Sequence, residues 1–208
     1  MGRINAYHLL TQPETAREKK SIASISPLGD LRNISYSQVI NDPYTDFPPK
    51  DSCMRPEDIG MEPGLNSKTN RYRLTPAHYG CYRAHGDLIM SLPEDTNDIY
   101  LIFEGDAELI IPHFKFKRRV KKANKLSLKQ DYTFFSFGAP IGKVIQCKGH
   151  KQAAWFMEAH AYIIPGRKVS YVKEILCNSG WDVFDIWVTS NFGLTPACYF
   201  NHPSVIQG

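Results

Sequence analysis

At 208 residues, with 42% hydrophobic and 22% charged residues, the chain has the size and composition of one globular domain. A formal net charge of +4 favours anionic partners but lies well below the charge typical of a dedicated nucleic-acid-binding protein. The five cysteines include no CxxC pair, which indicates reduced thiols in the cytoplasm rather than a common zinc site or a disulfide framework. No apolar run approaches ~20 residues, so no membrane-spanning segment is expected.

The first elements in chain order are predicted to be a strand, a helix and a second strand. Residues 4–10 (INAYHLL) are typical of a short buried strand. Thr11 is the expected N-cap of the next helix, with Glu14 completing a capping box, and the helix is predicted over 14–26. A second strand is predicted over 34–40, where the sequence partly alternates.

The segment 41–70 is rich in Pro, Gly, Asp and Asn and is predicted to be a long loop region. Loops of this length within a compact domain are commonly lids, binding loops or disordered segments. We therefore consider it a candidate lid over a binding site.

The second half of the chain alternates between helical and strand patterns. Thr75 as cap and Pro76 at the first helical position predict a helix over 76–91. Residues 98–103 (DIYLIF) are typical of a central buried strand. Further elements are expected as a helix at 115–125, strands at 132–137 and 159–164, and a helix at 170–177. This order predicts a single α/β domain with a mostly parallel central sheet flanked by helices.

Two acidic residues, Glu104 and Asp106, directly follow the predicted central strand. In open α/β sheets, ligands bind beyond the carboxyl ends of the strands, and Gly105 permits the chain to turn there. Mg²⁺ and Mn²⁺ are commonly held by one or two carboxylates together with substrate phosphates. The pattern thus indicates a metal site, although on spacing alone a solvated turn after a core strand is the more common explanation.

The segment LTPAHYGCYRAH (74–85), followed by IYLIFEGDAEL (99–109), resembles glycosyltransferase family 25, the lipooligosaccharide and collagen galactosyltransferase-like group. The family pattern is LTPGEIGCxxSH followed by ILEDDxxL. The positions that match are Leu74, Thr75, Pro76, Gly80, Cys81, His85, Leu101, Ile102, Glu104, Asp106 and Leu109. Two positions depart from the pattern, because Gly105 replaces the middle acid and Ala84 replaces the serine.

Weaker similarities extend the resemblance over nearly the whole chain. The opening strand and its helix with Arg17 are similar to the start of the family, and 160–164 (HAYII) resembles its later AYxIS strand. Trp181 and Asp182 resemble the vD that follows, and 203–207 is similar to a closing PxxxQ.

The resemblance implies a GT-A-like, Rossmann-related fold and an inverting hexosyltransferase that uses a nucleotide-diphosphate sugar, with a UDP-sugar favoured. It also implies a divalent cation, Mn²⁺ or Mg²⁺, held by Glu104 and Asp106 or by Asp106 alone, with His202 as a further candidate ligand. The expected acceptor is a hydroxyl of a glycan or glycoconjugate, with a lipopolysaccharide-type acceptor favoured, in the cytoplasm or at the inner face of a membrane.

Five further side chains are candidates for the donor site or the general base. An inverting transfer needs a base that takes the acceptor proton, and Asp182 is the first candidate and Asp185 the second. The alternative is that one of these aspartates caps the following segment and the other forms an ion pair with a lysine. Arg17, His85 and His160 are candidates for donor binding. Each has a simpler alternative: Arg17 would be a surface arginine, His85 a buried histidine bonded to the backbone, and His160 a histidine that starts a strand. For His202 the alternative to a metal ligand is an exposed position near the C-terminus.

The basic segment 115–125 (KFKRRVKKANK) permits three interpretations. A solvated helix face is the simplest. Peripheral contact with an anionic membrane or a phosphorylated glycan is the second. The third is nucleic-acid binding through 115–129, which the few interleaved aromatics do not favour.

Two alternatives to the transferase remain open. One is a non-catalytic glycan- or nucleotide-binding protein of the same fold, since Gly105 stands where the family has an acid. The other is the nucleic-acid-binding protein just described.

Overall fold

The structure is a computed structural model that describes most of the chain. The described residues are 2–10, 15–28, 31–35, 65–68, 71–72, 75–139, 141–155, 159–179, 182–192, 197–200 and 202–207. The predicted loop region 41–70 therefore lies outside the described residues, except for 65–68. The proposed cap Thr11 and the motif residue Trp181 also lie outside them. None of the helices in the described ranges is long and apolar enough to cross a membrane.

The described ranges combine helices and strands in one mixed α/β arrangement. The helices are α1 (Ala16–Ile25), α2 (Pro76–Ser91), α3 (His113–Gln130), α4 (Val169–Asn178) and α5 (Phe184–Phe192). The strands are β1 (Ile4–Leu10), β2 (Leu31–Ser35), β3 (Leu65–Asn66), β4 (Arg71–Tyr72), β5 (Ile99–Phe103), β6 (Ala107–Leu109), β7 (Phe134–Ser136), β8 (Ile141–Cys147), β9 (His150–Trp155), β10 (Ala161–Pro165), β11 (Ala197–Tyr199) and β12 (Val205–Gln207).

The main sheet has the strand order β2-β1-β5-β10-β7-β11-β9-β8. β1 pairs in parallel with β2 and β5, and β7 pairs in parallel with β11. β10 is antiparallel to both of its neighbours, and β9 is antiparallel to β11 and β8. The prediction of a mostly parallel sheet is therefore wrong, and the sheet is mixed. One of the antiparallel pairs is a hairpin: β8 and β9 follow one another through a tight turn at Gly149 (φ +82°), with no crossover helix between them. The other antiparallel pairs, of β10 with β5 and β7 and of β9 with β11, join strands that are not consecutive in the chain.

Both helices that reach the site begin with a capping box. Thr75 accepts a hydrogen bond from the His78 backbone N–H at 3.3 Å, and α2 covers the predicted 76–91. α1 begins after Thr15 and not after Thr11, because Thr15 Oγ1 accepts from the Glu18 N–H while Glu18 Oε2 accepts from the Thr15 N–H at 2.7 Å. The prediction of the helix is confirmed, and its start is corrected to Ala16.

The sheet separates two hydrophobic clusters, because successive side chains of a strand point to opposite faces. On β5, Tyr100 and Ile102 lie in one cluster, and Ile99, Leu101 and Phe103 lie in the other. The first cluster includes residues of α2, α4 and α5, and the second includes residues of α3. Since all five side chains of β5 are buried, this strand is the fixed centre from which the next residues project.

The register of the central strands brings three chain segments to one edge of the sheet. His8 on β1 lies opposite Phe103, the last residue of the parallel strand β5. Ala161, the first residue of antiparallel β10, lies opposite Phe103 from the other side. The Glu104 N–H donates to the His160 carbonyl at 3.0 Å, so the residue after β5 and the residue before β10 are neighbours.

Candidate functional site

The carboxylate of Glu104 lies between two histidines. Its Oε1 is 3.2 Å from His85 Nε2 on α2, and its Oε2 is 3.1 Å from His160 Nδ1. The thiol of Cys81, one turn before His85, lies 3.9 Å from the same Oε1. Both carboxylate oxygens of Glu104 thus accept hydrogen bonds, while 23% of its side chain remains exposed.

His85 is held from both ring nitrogens and from one ring face. Its Nδ1 lies 2.7 Å from the Tyr162 hydroxyl, and its ring stacks on Phe184 at 4.0 Å between centroids. Its Nε2 donates to the ionised Glu104, and its Nδ1 pairs with the Tyr162 hydroxyl. Both nitrogens are therefore occupied within the protein. This geometry indicates that His85 positions Glu104, whereas its predicted contact with a donor would require one of these bonds to break.

The environment of Glu104 keeps its carboxylate ionised. Burial opposes ionisation, but hydrogen bonds and charge from His160 and His85 outweigh it and lower the pKa of Glu104 from 4.5 to about 2. Burial and the neighbouring charge of Glu104 have the opposite consequence for Cys81, whose pKa they raise well above 9.0. The site therefore combines an anionic Glu104 with a protonated thiol at neutral pH.

Asp106 is the second carboxylate at this edge of the sheet. Its Oδ1 lies 3.8 Å from His160 Nδ1, and its Oδ2 accepts a hydrogen bond from Gln207 Nε2 at 2.7 Å. Arg17 Nη1, on the first turn of α1, is 3.8 Å from Oδ2, and the Arg17 side chain is 62% exposed. The pairing of β6 with β12 brings Gln207 to Asp106.

An open cleft of about 320 Å³ lies beside these carboxylates. Residues from α1, α2 and the turn after β5 line it: Thr15, Arg17, Glu18, Cys81, Glu104, Gly105 and Asp106. The predicted donor-site residue Arg17 and the predicted metal ligands Glu104 and Asp106 thus share one concave surface.

Glu18 is a residue of this site that sequence reasoning missed. It is 4% exposed, and its Oε1 lies only 2.6 Å from the point where a Cβ on residue 105 would stand. The Leu9 carbonyl oxygen lies 3.0 Å from the same point. Glu18 therefore occupies the space of a side chain at position 105. The TxxE pattern of residues 15–18 is the signal that could have identified it.

His8 supports the backbone beneath the acids. It is fully buried on β1, and its Nε2 lies 3.1 Å from the Glu104 carbonyl and 3.0 Å from Ser21 Oγ on α1. The Ser21 hydroxyl donates in turn to the Ala107 carbonyl at 2.5 Å. Burial lowers the pKa of His8. These contacts tie both sides of the 104–107 turn to β1 and α1.

The remaining predicted residues differ in their proximity to the site. Asp185, in the first turn of α5, is close enough for its charge to raise the pKa values of Cys81 and Tyr162, after burial and Glu104. The Asp182 carboxylate accepts from the Val183 N–H at 2.7 Å, a local contact just before α5. The structure thus relates Asp185, more directly than Asp182, to the centre of the site.

Two sets of side chains offer metal-ligand atoms within 4.8 Å of one another in the described part of the chain. One is Cys81, His85 and Glu104, and the other is Glu104, Asp106 and His160. His202 belongs to neither; its side chain is exposed, and its carbonyl accepts from Arg119 on α3. The structure therefore brings His160, in place of the predicted His202, to the two carboxylates.

The donor atoms favour the second set for a hard divalent cation. Cys81 offers a sulfur atom, a soft ligand that suits Zn²⁺ or Cu⁺ better than Mg²⁺ or Mn²⁺. Carboxylates are the preferred ligands of Mg²⁺ and Mn²⁺, and an imidazole is compatible with Mn²⁺. An ionised carboxylate has about four lone-pair positions, so Glu104 can keep a histidine bond and still bind a cation.

No family model matches the sequence, and no curated protein matches it either.

We predict that Gly105→Ala destabilises the protein and displaces the Glu18 side chain. The new Cβ would stand 2.6 Å from Glu18 Oε1 and 3.0 Å from a backbone oxygen, so we expect a loss of about 1–3 kcal/mol in the free energy of unfolding. Urea denaturation followed by circular dichroism measures it. Gly86→Ala in α2 is the control: the nearest atoms would be 3.9 Å away, so it should be neutral or stabilise by up to about 1 kcal/mol. Equal effects of the two changes would show that the space at Gly105 is not restricted.

A second prediction concerns acid stability. Because the pKa of Glu104 is lowered from 4.5 to about 2 on folding, its contribution is fully present above pH 4.5 and is lost as the pH falls towards 2. We expect this contribution to be on the order of 3 kcal/mol. The free energy of unfolding, measured from pH 6 to pH 2, should fall more steeply in the wild type than in Glu104→Gln. Glu94→Gln, at an exposed carboxylate, controls for the lost charge. Parallel wild-type and Glu104→Gln profiles would contradict the prediction.

Proposed function

We propose that the chain is a metal-dependent hexosyltransferase that transfers a sugar from a nucleotide diphosphate, UDP favoured, to a hydroxyl of a glycan or glycoconjugate. The single observation that supports it best is the convergence of Glu104, Asp106 and His160, because the two carboxylates line an open cleft that Arg17 also lines. The resemblance of 74–85 and 99–109 to glycosyltransferase family 25 supports the same reaction class, and the GT-A-like form of the fold is part of this proposal.

Glu104, Asp106 and His160 would hold Mn²⁺ or Mg²⁺, and the bound cation would neutralise negative charge on the departing diphosphate. As a ligand, His160 would bind the cation through the lone pair of Nδ1 and keep its proton on Nε2. The exposed guanidinium of Arg17 is suited to a phosphate of the donor, since it reaches the rim of the cleft at Asp106.

Asp185 is our candidate for the general base. In the transfer, the acceptor oxygen forms a bond to the anomeric carbon as the bond from that carbon to the diphosphate oxygen breaks. The leaving diphosphate takes the bonding electron pair, and the base takes the acceptor's proton. The electrostatic effect of Asp185 on Cys81 and Tyr162 supports its nearness to the cleft. Asp182 is less suited, because its carboxylate accepts a hydrogen bond from the adjacent backbone.

A nucleotide-sugar screen tests the metal site directly. Ligands that bind the folded state raise its apparent melting temperature. We expect the largest thermal shift for a UDP-sugar with Mn²⁺, and we expect Asp106→Asn to abolish the metal-dependent part. Asp87→Asn, an exposed acid on α2, is the matched control and should keep the wild-type response. A metal response unchanged in Asp106→Asn would refute the assignment.

The same preparation separates an enzyme from a binding protein. Turnover of a nucleotide sugar to free nucleotide diphosphate supports the transferase. Tight binding without turnover of any donor would support the non-catalytic glycan- or nucleotide-binding protein instead.

Substitution of the two aspartates tests the base. We expect Asp185→Asn to lower kcat by about 10²–10⁴-fold with little change in the thermal shift by donor and Mn²⁺, since a general base acts on the acceptor proton and not on donor binding. Asp182→Asn should keep most of the activity, because its carboxylate faces the Val183 N–H. The opposite ranking of the two variants would move the assignment to Asp182.

A further inference from the structure

The exposed face of α3 is basic along its whole length. Its sequence contains no acidic residue. Seven of its cations are exposed: Lys115, Lys117, Arg118, Lys121, Lys122, Lys125 and Lys129. The opposite face carries Phe116, Val120 and Ala123 into the core, so the helix is fixed with its charges outward.

Apolar side chains lie among these cations on the exposed side. Phe114 is 61% exposed and Leu128 is 43% exposed. At 3.6 residues per turn, one arc of about 100° contains both of them together with four cations. The members of this stripe are Phe114, Lys117, Arg118, Lys121, Lys125 and Leu128. A solvated helix face does not need exposed apolar residues at both ends of a cationic row.

A pocket of about 440 Å³ opens beside this stripe, at the amino end of β1. Ala6, Leu101 and Val120 are among the residues that give it apolar walls, and Arg3, Lys117 and Lys121 add positive charge. The described residues that line it include no carboxylate. An occupant that matches this chemistry has an apolar part and an anionic group.

We propose that this pocket and the stripe on α3 bind an anionic phospholipid at a membrane surface. The phosphate lies near Arg3, Lys117 and Lys121, an acyl chain contacts the apolar walls, and Phe114 and Leu128 enter the headgroup boundary. Apolar side chains beside basic ones are typical of interfacial membrane contacts. A nucleic acid would use the cations but would leave the apolar pocket without a function.

The pocket is separate from the candidate site. Arg3 and Ile4 are at the amino end of β1, whereas Glu104 and Asp106 follow the carboxyl end of the parallel strand β5. The inference therefore does not depend on the proposed transferase activity, and the two can fail independently.

A soluble short-chain lipid tests the pocket. Dihexanoylphosphatidylglycerol, below its critical micelle concentration, should shift backbone amide resonances of β1 and α3 in NMR spectra of the full chain. Glycerol 3-phosphate, which is the anion without the chains, and dihexanoylphosphatidylcholine, which lacks the net charge, should produce much smaller shifts. Equal shifts with glycerol 3-phosphate would reduce the site to a phosphate site and overturn the proposal, and so would the absence of shifts with the anionic lipid.

Vesicle sedimentation tests the surface. The wild type should sediment with phosphatidylcholine vesicles that contain phosphatidylglycerol and remain free of pure phosphatidylcholine vesicles. Lys121→Gln should weaken partitioning about fivefold, and Lys117→Gln/Lys121→Gln about thirtyfold. Lys19→Gln, at an exposed lysine of α1, is the matched control and should have little effect. An equal loss in Lys19→Gln would attribute binding to net charge alone and overturn the site.

Phe114→Ser separates lipid from nucleic acid. This exposed side chain contributes apolar contact, so its loss should weaken vesicle binding, mostly the part that resists salt. Binding to a single-stranded oligonucleotide that falls steeply with salt, together with vesicle binding unchanged by Phe114→Ser, would contradict the lipid assignment and favour a nucleic acid.

Discussion

The arrangement of the candidate site depends on one interaction, the acceptance of two histidine hydrogen bonds by a single, partly buried carboxylate. His85 and His160 come from different elements, α2 and the start of β10, and Glu104 joins them at the end of β5. Taking a carboxylate out of water disfavours its charge, so the ion persists because both oxygens are paired. Tyr162 extends the network, because its hydroxyl lies 2.7 Å from His85 Nδ1. Displacement of α2, β5 or β10 would break at least one of the two histidine bonds to Glu104, so the packing of these elements and the ionisation of Glu104 are coupled.

The space around Gly105 is the second constraint. The turn passes so close to α1 that Glu18 and the Leu9 carbonyl occupy the position of a side chain. In this chain a carboxylate from α1 therefore lies in the space that a side chain at position 105 would need. Glu18 also forms the capping box that starts α1, so the same side chain links the beginning of a helix to the lining of the cleft. This explains in physical terms why glycine is suited to position 105 here, independently of any loss of activity.

Local signals in the sequence predicted the parts of the structure that local interactions determine. Thr75 and Pro76 define the start of α2, and the apolar run before Glu104 defines β5. The start of α1 was misplaced because TQPE and TARE both fit a capping box, and burial of Glu18 against Gly105, a contact between distant residues, distinguishes them. The antiparallel direction of β10 was missed for the same reason, since it depends on pairing with the distant strands β5 and β7. Glu104 and Asp106 were predicted together from their spacing, whereas the position of His160 beside them follows only from the register of β10 on β5.

The charges around the cleft explain why a diphosphate ligand would need a cation here. Burial, and after it the charges of Glu104 and Asp185, raise the pKa values of both Cys81 and Tyr162, so these two groups lie close to the negative charge of the site. Glu18 and Asp106 add two more acids to the lining, and the cation at this rim, Arg17, already lies 3.8 Å from Asp106. A diphosphate brought to these acids without a compensating ion would meet like charges at short range in a partly desolvated cleft. A divalent cation between them would reverse the sign of that interaction, so the charge of the lining supports the proposed metal dependence alongside the identity of the ligand atoms.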